Sequence, residues 1–196
     1  VGLLTLVDDD KVDITNLQRQ VLHGEKDLAQ FKVHSARDTI QALNKEVEVE
    51  CYPTRLNDES LSEVIAKHDV VLDCTDNLAT RNQINKACFE QNTPLISGSA
   101  IRMEGQVSTF LMDKNAQTPC YQCLSQLFET PNLTCSEAGV LSPVVGIVGT
   151  IQATECLKLI ANIGKLLSST LLTVDAATME FNHFKIPKNP QCDVCG

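Results

Sequence analysis

Four cysteines stand in two identical spacings, Cys120-x-x-Cys123 and Cys192-x-x-Cys195. Two such pairs supply the thiolates of a tetrahedral structural zinc site, which is closed and offers no position to a substrate. They lie far apart in sequence, so the fold has to bring them together. Four buried thiols or two redox pairs are the other readings. Zinc is preferred because the tail leading to Pro190-Gln191-Cys192 has little else to hold it. Cys135, in Thr134-Cys135-Ser136-Glu137-Ala138-Gly139, stands among small and polar residues where a thiol can be exposed and reactive. Cys51, Cys74, Cys88 and Cys156 fall in or beside apolar elements and read as small core residues. His23, His34, His68 and His183 have no spacing of a triad or a metal site.

Three further constellations could carry chemistry. Asp8-Asp9-Asp10 follows an apolar strand, where an acid can take ribose hydroxyls or simply cap the strand as a solvated turn. Asp73-Cys74-Thr75-Asp76-Asn77 follows Val70-Val71-Leu72, at the strand end where open α/β sheets bind ligands. A lone carboxylate there suits Mg2+ with phosphate; helix capping by Thr75, Asp76 or Asn77 is the plainer reading. Thr15-Asn16-Leu17-Gln18-Arg19-Gln20, with Lys32 further on, brings cations and amides that fit a polyphosphate or an ordinary charged surface.

The elements that must position these residues alternate. Strands are expected at Leu3 to Val7, Val47 to Tyr52, Asp69 to Asp73 and Pro94 to Ser97. Helices are expected at Lys32 to Leu43 (Val33, Ala36, Ile40 and Leu43 inward), from Asn57 or Asp58 to about Lys67 (Leu61, Val64 and Ile65 inward), and from Asn77 to Gln91. The second half changes character, with strands at Gly105 to Met112, Leu171 to Val174 and Glu180 to Ile186, a cysteine-rich loop at Pro119 to Ser142 and a helix at Val144 to Ile163. The expected fold class is α/β, a Rossmann-like doubly wound mostly parallel sheet with an antiparallel extension and the four-cysteine zinc site, forming one domain over residues 1–196. No G-x-G-x-x-G turn or P-loop occurs in these residues.

Composition bounds the function. The 196 residues are 43% hydrophobic and 21% charged, with nine Gly and seven Pro, which excludes collagen, coiled coil and disorder. Sixteen Lys and Arg against 25 Asp and Glu leave a net charge of -9, and there is no Trp, so nucleic acid is not an expected partner. No apolar run approaches the ~18 residues of a membrane span, so no membrane partner is expected. Val1 to Val7 lacks the basic start of a signal peptide and reads as a buried strand. Nine cysteines then point to thiols or metal ligands in a reducing, cytoplasmic compartment.

Taken together, the run from Asp8 to Gln20 resembles the acidic strand end and Asn-Leu-Gln-Arg-Gln stretch of the ubiquitin-activating-enzyme-like (E1-like) adenylyltransferases. Val71-Leu72-Asp73-Cys74-Thr75-Asp76-Asn77 matches their Asp-Cys-Thr-Asp-Asn segment, and Lys32 stands at their catalytic lysine, with Phe31 in place of a proline. Ser97-Gly98-Ser99-Ala100-Ile101-Arg102-Met103-Glu104-Gly105-Gln106, both cysteine pairs and the loop around Cys135 also match, so the likeness covers essentially the whole chain. It is closest to the molybdopterin branch, with the thiamine-pathway branch second.

The resemblance implies ATP-dependent adenylation of the C-terminal glycine of a small ubiquitin-like sulfur-carrier protein, the small subunit of molybdopterin synthase, in molybdenum cofactor biosynthesis. It implies ATP, Mg2+ and a structural Zn2+ on Cys120, Cys123, Cys192 and Cys195, and a homodimer. Arg19, Lys32 and Asp76 are the implied catalytic residues. Asp8 takes the ribose, with Asp10 a weaker candidate; Asn16, Arg19 and Lys32 take the phosphates; Asp76 takes magnesium. Cys135 is conditional, since the matching cysteine transfers sulfur in the thiamine branch and the molybdopterin branch only adenylates. Activation of the thiamine-pathway carrier and a non-catalytic scaffold are the alternatives; a nicotinamide or flavin oxidoreductase lacks any fingerprint. The family's glycine turn, first helix and an arginine that reaches the neighbouring subunit lie before the counterpart of Val1, so the expectation is an N-terminally truncated chain that is a poor enzyme as it stands.

Overall fold

A computed structural model describes residues 1–114, 117–128 and 139–196. The chain divides into two compact units, Val1–Asn57 and Asp58–Gly196. In the first, β1 (Leu3–Val7) pairs in parallel with β2 (Glu48–Tyr52), from Leu3 opposite Glu48 to Val7 opposite Tyr52. Parallel strands need a crossover, and α1 (Lys32–Leu43) supplies it, packing on β2 with Val33, Ser35 and Ala36 buried. Leu43, expected inward, is 80% exposed. The helix ends there, with the Asn44 N–H bonded to the Ile40 carbonyl. β1 is also less buried than expected, since Leu3, Leu4 and Val7 are exposed. It has one strand neighbour among the described residues, and its apolar side chains are only partly covered.

Between β1 and α1 the chain makes two 3-10 turns, Ile14–Asn16 and Glu25–Asp27. It then returns alongside its outgoing segment. The Val12 N–H donates to the Gln30 carbonyl (2.8 Å), the Ala29 N–H to the Val12 carbonyl (3.0 Å), and the Lys32 N–H to the Asp10 carbonyl (2.9 Å). This short antiparallel closure sets the start of α1 beside the acidic end of β1.

The second unit is built on a five-stranded sheet in the order β3 (Val71–Asp73), β4 (Leu95–Ile101), β5 (Glu104–Phe110), β6 (Thr170–Asp175), β7 (Glu180–Lys185). Only β3 and β4 pair in parallel, joined by α3 (Leu78–Gln91); the other pairings are antiparallel. The fold class is α/β with parallel and antiparallel pairings, as expected, and the antiparallel part is the larger among the described residues. A tight turn at Arg102–Met103, with Arg102 at φ 52°, closes the β4–β5 hairpin where a crossover would have kept the strands parallel.

Helices cover both faces. Leu95 packs with Cys88 of α3 and Ile65 of α2 (Asp58–Ile65), whereas the next residue, Ile96, packs with Val144 and Val148 of α5 (Ser142–Ala161). That alternation is the two-residue period of a strand buried on both sides. α4 (Tyr121–Ser125) lies in the expected cysteine-rich loop. By length and composition α5 could cross a membrane, with a mean hydropathy of 1.5 in its best window, which exceeds the apolar run expected from sequence. Here it packs on β4 and β5 with Gln152 and Glu155 buried. Glu155 accepts from the Thr109 hydroxyl (2.8 Å) and the Leu167 N–H (2.7 Å) and pairs with Lys158.

Candidate functional site

In the first unit the end of β1 gathers a carboxylate–ammonium cluster. The Asp8 carboxylate accepts from the Asp10 N–H (2.8 Å), and the Asp10 carboxylate holds the Lys32 ammonium at 2.7 Å. Asp9 pairs instead with Arg55 (3.0 Å), a residue whose role the sequence did not signal. Burial pushes the Asp8 carboxyl above its ordinary value, against the Asp10 N–H and Lys32 charge that pull it down, and its acidic neighbours add to the rise. His23, bonded to the Ser35 hydroxyl (2.8 Å), is held below its usual value by burial.

Asn16 and Arg19 sit on the turns that follow. Asn16 accepts from the Asp13 N–H (3.2 Å) while Asp13 accepts from the Thr15 N–H and hydroxyl, which closes a capping box. The Thr15 hydroxyl and N–H hold the Asp13 carboxyl below its ordinary value. The Arg19 guanidinium folds back on the Thr15 carbonyl (2.9 Å). The structure thus brings Asp8, Asp10 and Lys32 together, and gives Asn16 and Arg19 partners of their own.

In the second unit the loop after β3 is held by buried polar groups. The Asp73 carboxylate, wholly buried, accepts from the Thr75 N–H (2.9 Å), the Thr75 hydroxyl (2.7 Å) and the Ser97 hydroxyl (3.2 Å). Arg81 lies 3.9 Å from it and donates to the Thr75 carbonyl and to the Gly98 carbonyl (3.1 Å). Asn77 caps α3 by accepting from the Thr80 N–H (2.9 Å), as the capping reading held. Asp76, between these anchors, is exposed and has no partner among the described residues. Cys74 is exposed rather than a core residue, because it lies just past the strand end. Cys88 is the core thiol expected, pushed up to about 12 by burial.

The two cysteine pairs meet. The sulfurs of Cys120, Cys123, Cys192 and Cys195 all lie within 4.8 Å of one another, and all four residues are buried. Cys120 Sγ is 3.7 Å from Cys192 Sγ, and Cys123 Sγ is 3.5 Å from Cys195 Sγ. A zinc with bonds of about 2.3 Å needs sulfur–sulfur edges of about 3.8 Å, so the donor set and spacing fit that ion. Burial pushes the Cys120 and Cys195 thiols up. Burial also opposes ionisation of Cys192, but hydrogen bonds from the Cys195 and Val194 N–H groups, together with those of the Cys120 and Cys195 side chains, draw this thiol down. Cys135 lies outside the described residues.

Beside this cluster a cavity of about 50 Å3 is lined by Arg81, Ser97, Ser99, Ser108 and Tyr121. The Ser108 hydroxyl is buried without a hydrogen-bond partner among the described residues. The cavity shares Gln106, Leu124, Phe128 and Leu171 with an apolar groove of about 290 Å3 over β6 and β7, walled by Leu127 and Phe184.

Arg81, Asn85 and Gln152 are buried polar residues that the sequence reading passed over. Arg81 and Asn85 follow the cap Asn77 at four-residue spacing, a signal that places all three on one helix face.

Residues 1–194 match the ThiF family. The whole chain aligns with the molybdopterin-synthase adenylyltransferase of Salmonella typhimurium at 47% identity over 196 residues, covering 78% of that protein. The molybdopterin-synthase adenylyltransferase of Haemophilus influenzae is 49% identical over 189 residues, 96% of this chain and 77% of its own length. The structure of E. coli MccB with ATP matches all of this chain with a TM-score of 0.82 at 22% identity, a likeness of fold alone, and this chain spans 59% of its length. A family match running from the first residue to residue 194, on a mixed α/β fold with the motifs of the resemblance in place, establishes that the chain belongs to the ThiF family.

Proposed function

We propose that this chain is the adenylation domain of an ATP-dependent adenylyltransferase acting on the C-terminal glycine of the ubiquitin-like small subunit of molybdopterin synthase, and that it works as a homodimer. The observation that carries this reading is the 47% identity to a molybdopterin-synthase adenylyltransferase over all 196 residues. In the reaction a carboxylate oxygen of the carrier attacks the α-phosphorus of ATP. The bond from that phosphorus to the bridging oxygen breaks, and pyrophosphate leaves with the electron pair, giving a carrier acyl-adenylate.

The difficulty is charge, since an anion must approach a polyanion. Lys32, held in place by Asp10, meets the phosphates and follows the charge as it develops on the leaving group. Arg19, with donors to spare beyond Thr15, neutralises the phosphates, and Asn16 orients them. Asp8 accepts the ribose hydroxyls. The exposed, unpartnered Asp76 carboxylate suits Mg2+, which keeps several waters and takes one or two carboxylates; when bound, it spreads the charge of the leaving pyrophosphate. The apolar groove between Leu127 and Phe184 offers the carrier a surface to dock on. The four-cysteine cluster holds zinc and takes no part in the step.

Exchange of labelled pyrophosphate into ATP tests this directly. Exchange should depend on the molybdopterin-synthase small subunit with its terminal glycine intact and vanish when that glycine is removed. Exchange with the thiamine-pathway carrier alone would reassign the substrate, and none with either would overturn the activity.

A further inference from the structure

Asn85 on α3 is fully buried in a core that also holds Cys88, Leu95 and Phe110. A carboxamide at such a place costs stability unless each of its groups is bonded. Its Oδ1 accepts from the backbone N–H of Tyr121 (2.9 Å), the first residue of α4. Its Nδ2 donates to the sulfur of Cys120 (3.6 Å). One side chain therefore grips both the first cysteine of the cluster and the turn that carries Cys123. On the same face of α3, one turn earlier, Arg81 sits over the Tyr121 ring, 5.9 Å from its centroid. The Asn189 N–H reaches Cys123 Sγ (3.5 Å) from the other pair's side.

We propose that Asn85 is a positioning residue of the four-cysteine metal site, holding the Cys120 thiolate in place through an N–H···S hydrogen bond. A thiolate bound to a cation keeps excess negative charge, and a fixed amide donor stabilises it and fixes its direction. The amide comes from a helix distant in sequence from both cysteine pairs, so the cluster is anchored to the central sheet unit and does not rest on its own loops. This goes beyond the adenylation reading and does not depend on it.

The test uses the zinc-loaded protein and reads metal retention. Asn85→Leu keeps the branched skeleton and removes both hydrogen bonds, and Asn85→Ala removes the side chain. In competition with a chromogenic chelator, both variants should release zinc about 10- to 100-fold more readily than the parent. With Co2+ in the site, their thiolate-to-metal charge-transfer band should shift. Should either variant fold poorly, the unaltered protein loaded with a spin-active cadmium isotope answers alone: the Asn85 side-chain amide should show a coupling to the metal across the hydrogen bond. Parent-like zinc release in a folded variant, or no such coupling in the cadmium protein, would overturn the proposal.

Discussion

Gln152 of α5 lies over Gly98 of β4 so closely that a Cβ at position 98 would stand 2.3 Å from its carboxamide. The amide cannot swing aside freely, because its Nε2 donates to the carbonyls of Asp73 (2.9 Å) and Ile96 (3.2 Å). Glycine is needed at 98 for this close approach and not for any unusual backbone angle. Gly98→Ala should therefore destabilise the protein by about 1–3 kcal/mol through overpacking and displaced hydrogen bonds. Urea unfolding measures it, and an unchanged midpoint would mean that Gln152 has room to move.

Lys32 and Asp10 separate a stability effect from a chemical one. Their ion pair is at the surface on the Asp10 side, which is 62% exposed, so Asp10→Asn should change stability by less than about 1 kcal/mol. Lys32→Ala should lower pyrophosphate exchange by about a hundred-fold or more, because a cation placed at developing charge acts mainly in the transition state. The Michaelis constant for ATP should move far less than the turnover. An exchange rate near that of the parent would remove Lys32 from the chemistry.

If Asp8 takes the ribose as proposed, it should couple pH to nucleotide binding with a sign opposite to its effect on the fold. Its folded pKa is raised, so the native state binds a proton more readily than the unfolded chain between the ordinary value and the raised one. Stability from this group is greatest below that window and declines as pH rises through it. The proposed ribose recognition by the ionised carboxylate should run the other way and weaken as pH falls through the raised pKa. Affinity for a non-hydrolysable ATP analogue, measured from neutrality down to about pH 5.5, should fall for the parent earlier than an ordinary aspartate would allow. Asp8→Asn should bind more weakly at neutrality and show a flatter profile; identical profiles would exclude Asp8 from the ribose site.

Much of this arrangement was legible in the residues. α1 was expected at Lys32 to Leu43 and is found there, because its helical period and the strands on either side agree. The cysteine pairs were legible because two matched spacings need only one ion to explain them. What escaped was the buried polar scaffold. Arg81, Asn85 and Gln152 occupy helix positions where periodicity expects apolar residues or solvent, and their partners are carbonyls and a sulfur distant in sequence. β1 and Leu43 are more exposed than their apolar residues suggest for the converse reason: an apolar residue marks a face but does not say whether anything covers it.

Arg81 and Asp73 supply the severest test of that hidden scaffold. The Asp73 carboxylate is fully buried and Arg81 is 8% exposed, with the Ser97 hydroxyl between them and the Thr75 carbonyl on the guanidinium. Arg81→Met keeps the stem and removes the charge, leaving Asp73 buried with hydroxyl and N–H donors alone. The loss should be about 3–5 kcal/mol, since an uncompensated buried charge costs far more than a surface pair yields. Asp73→Asn in the Arg81→Met background should recover part of it, because the amide needs no counter-ion, its oxygen still accepts from Thr75, and its NH2 can donate to the Ser97 hydroxyl. Urea unfolding of the two single variants and the double variant measures the coupling. Additive losses would show that Arg81 acts through the Thr75 and Gly98 carbonyls and not through the carboxylate.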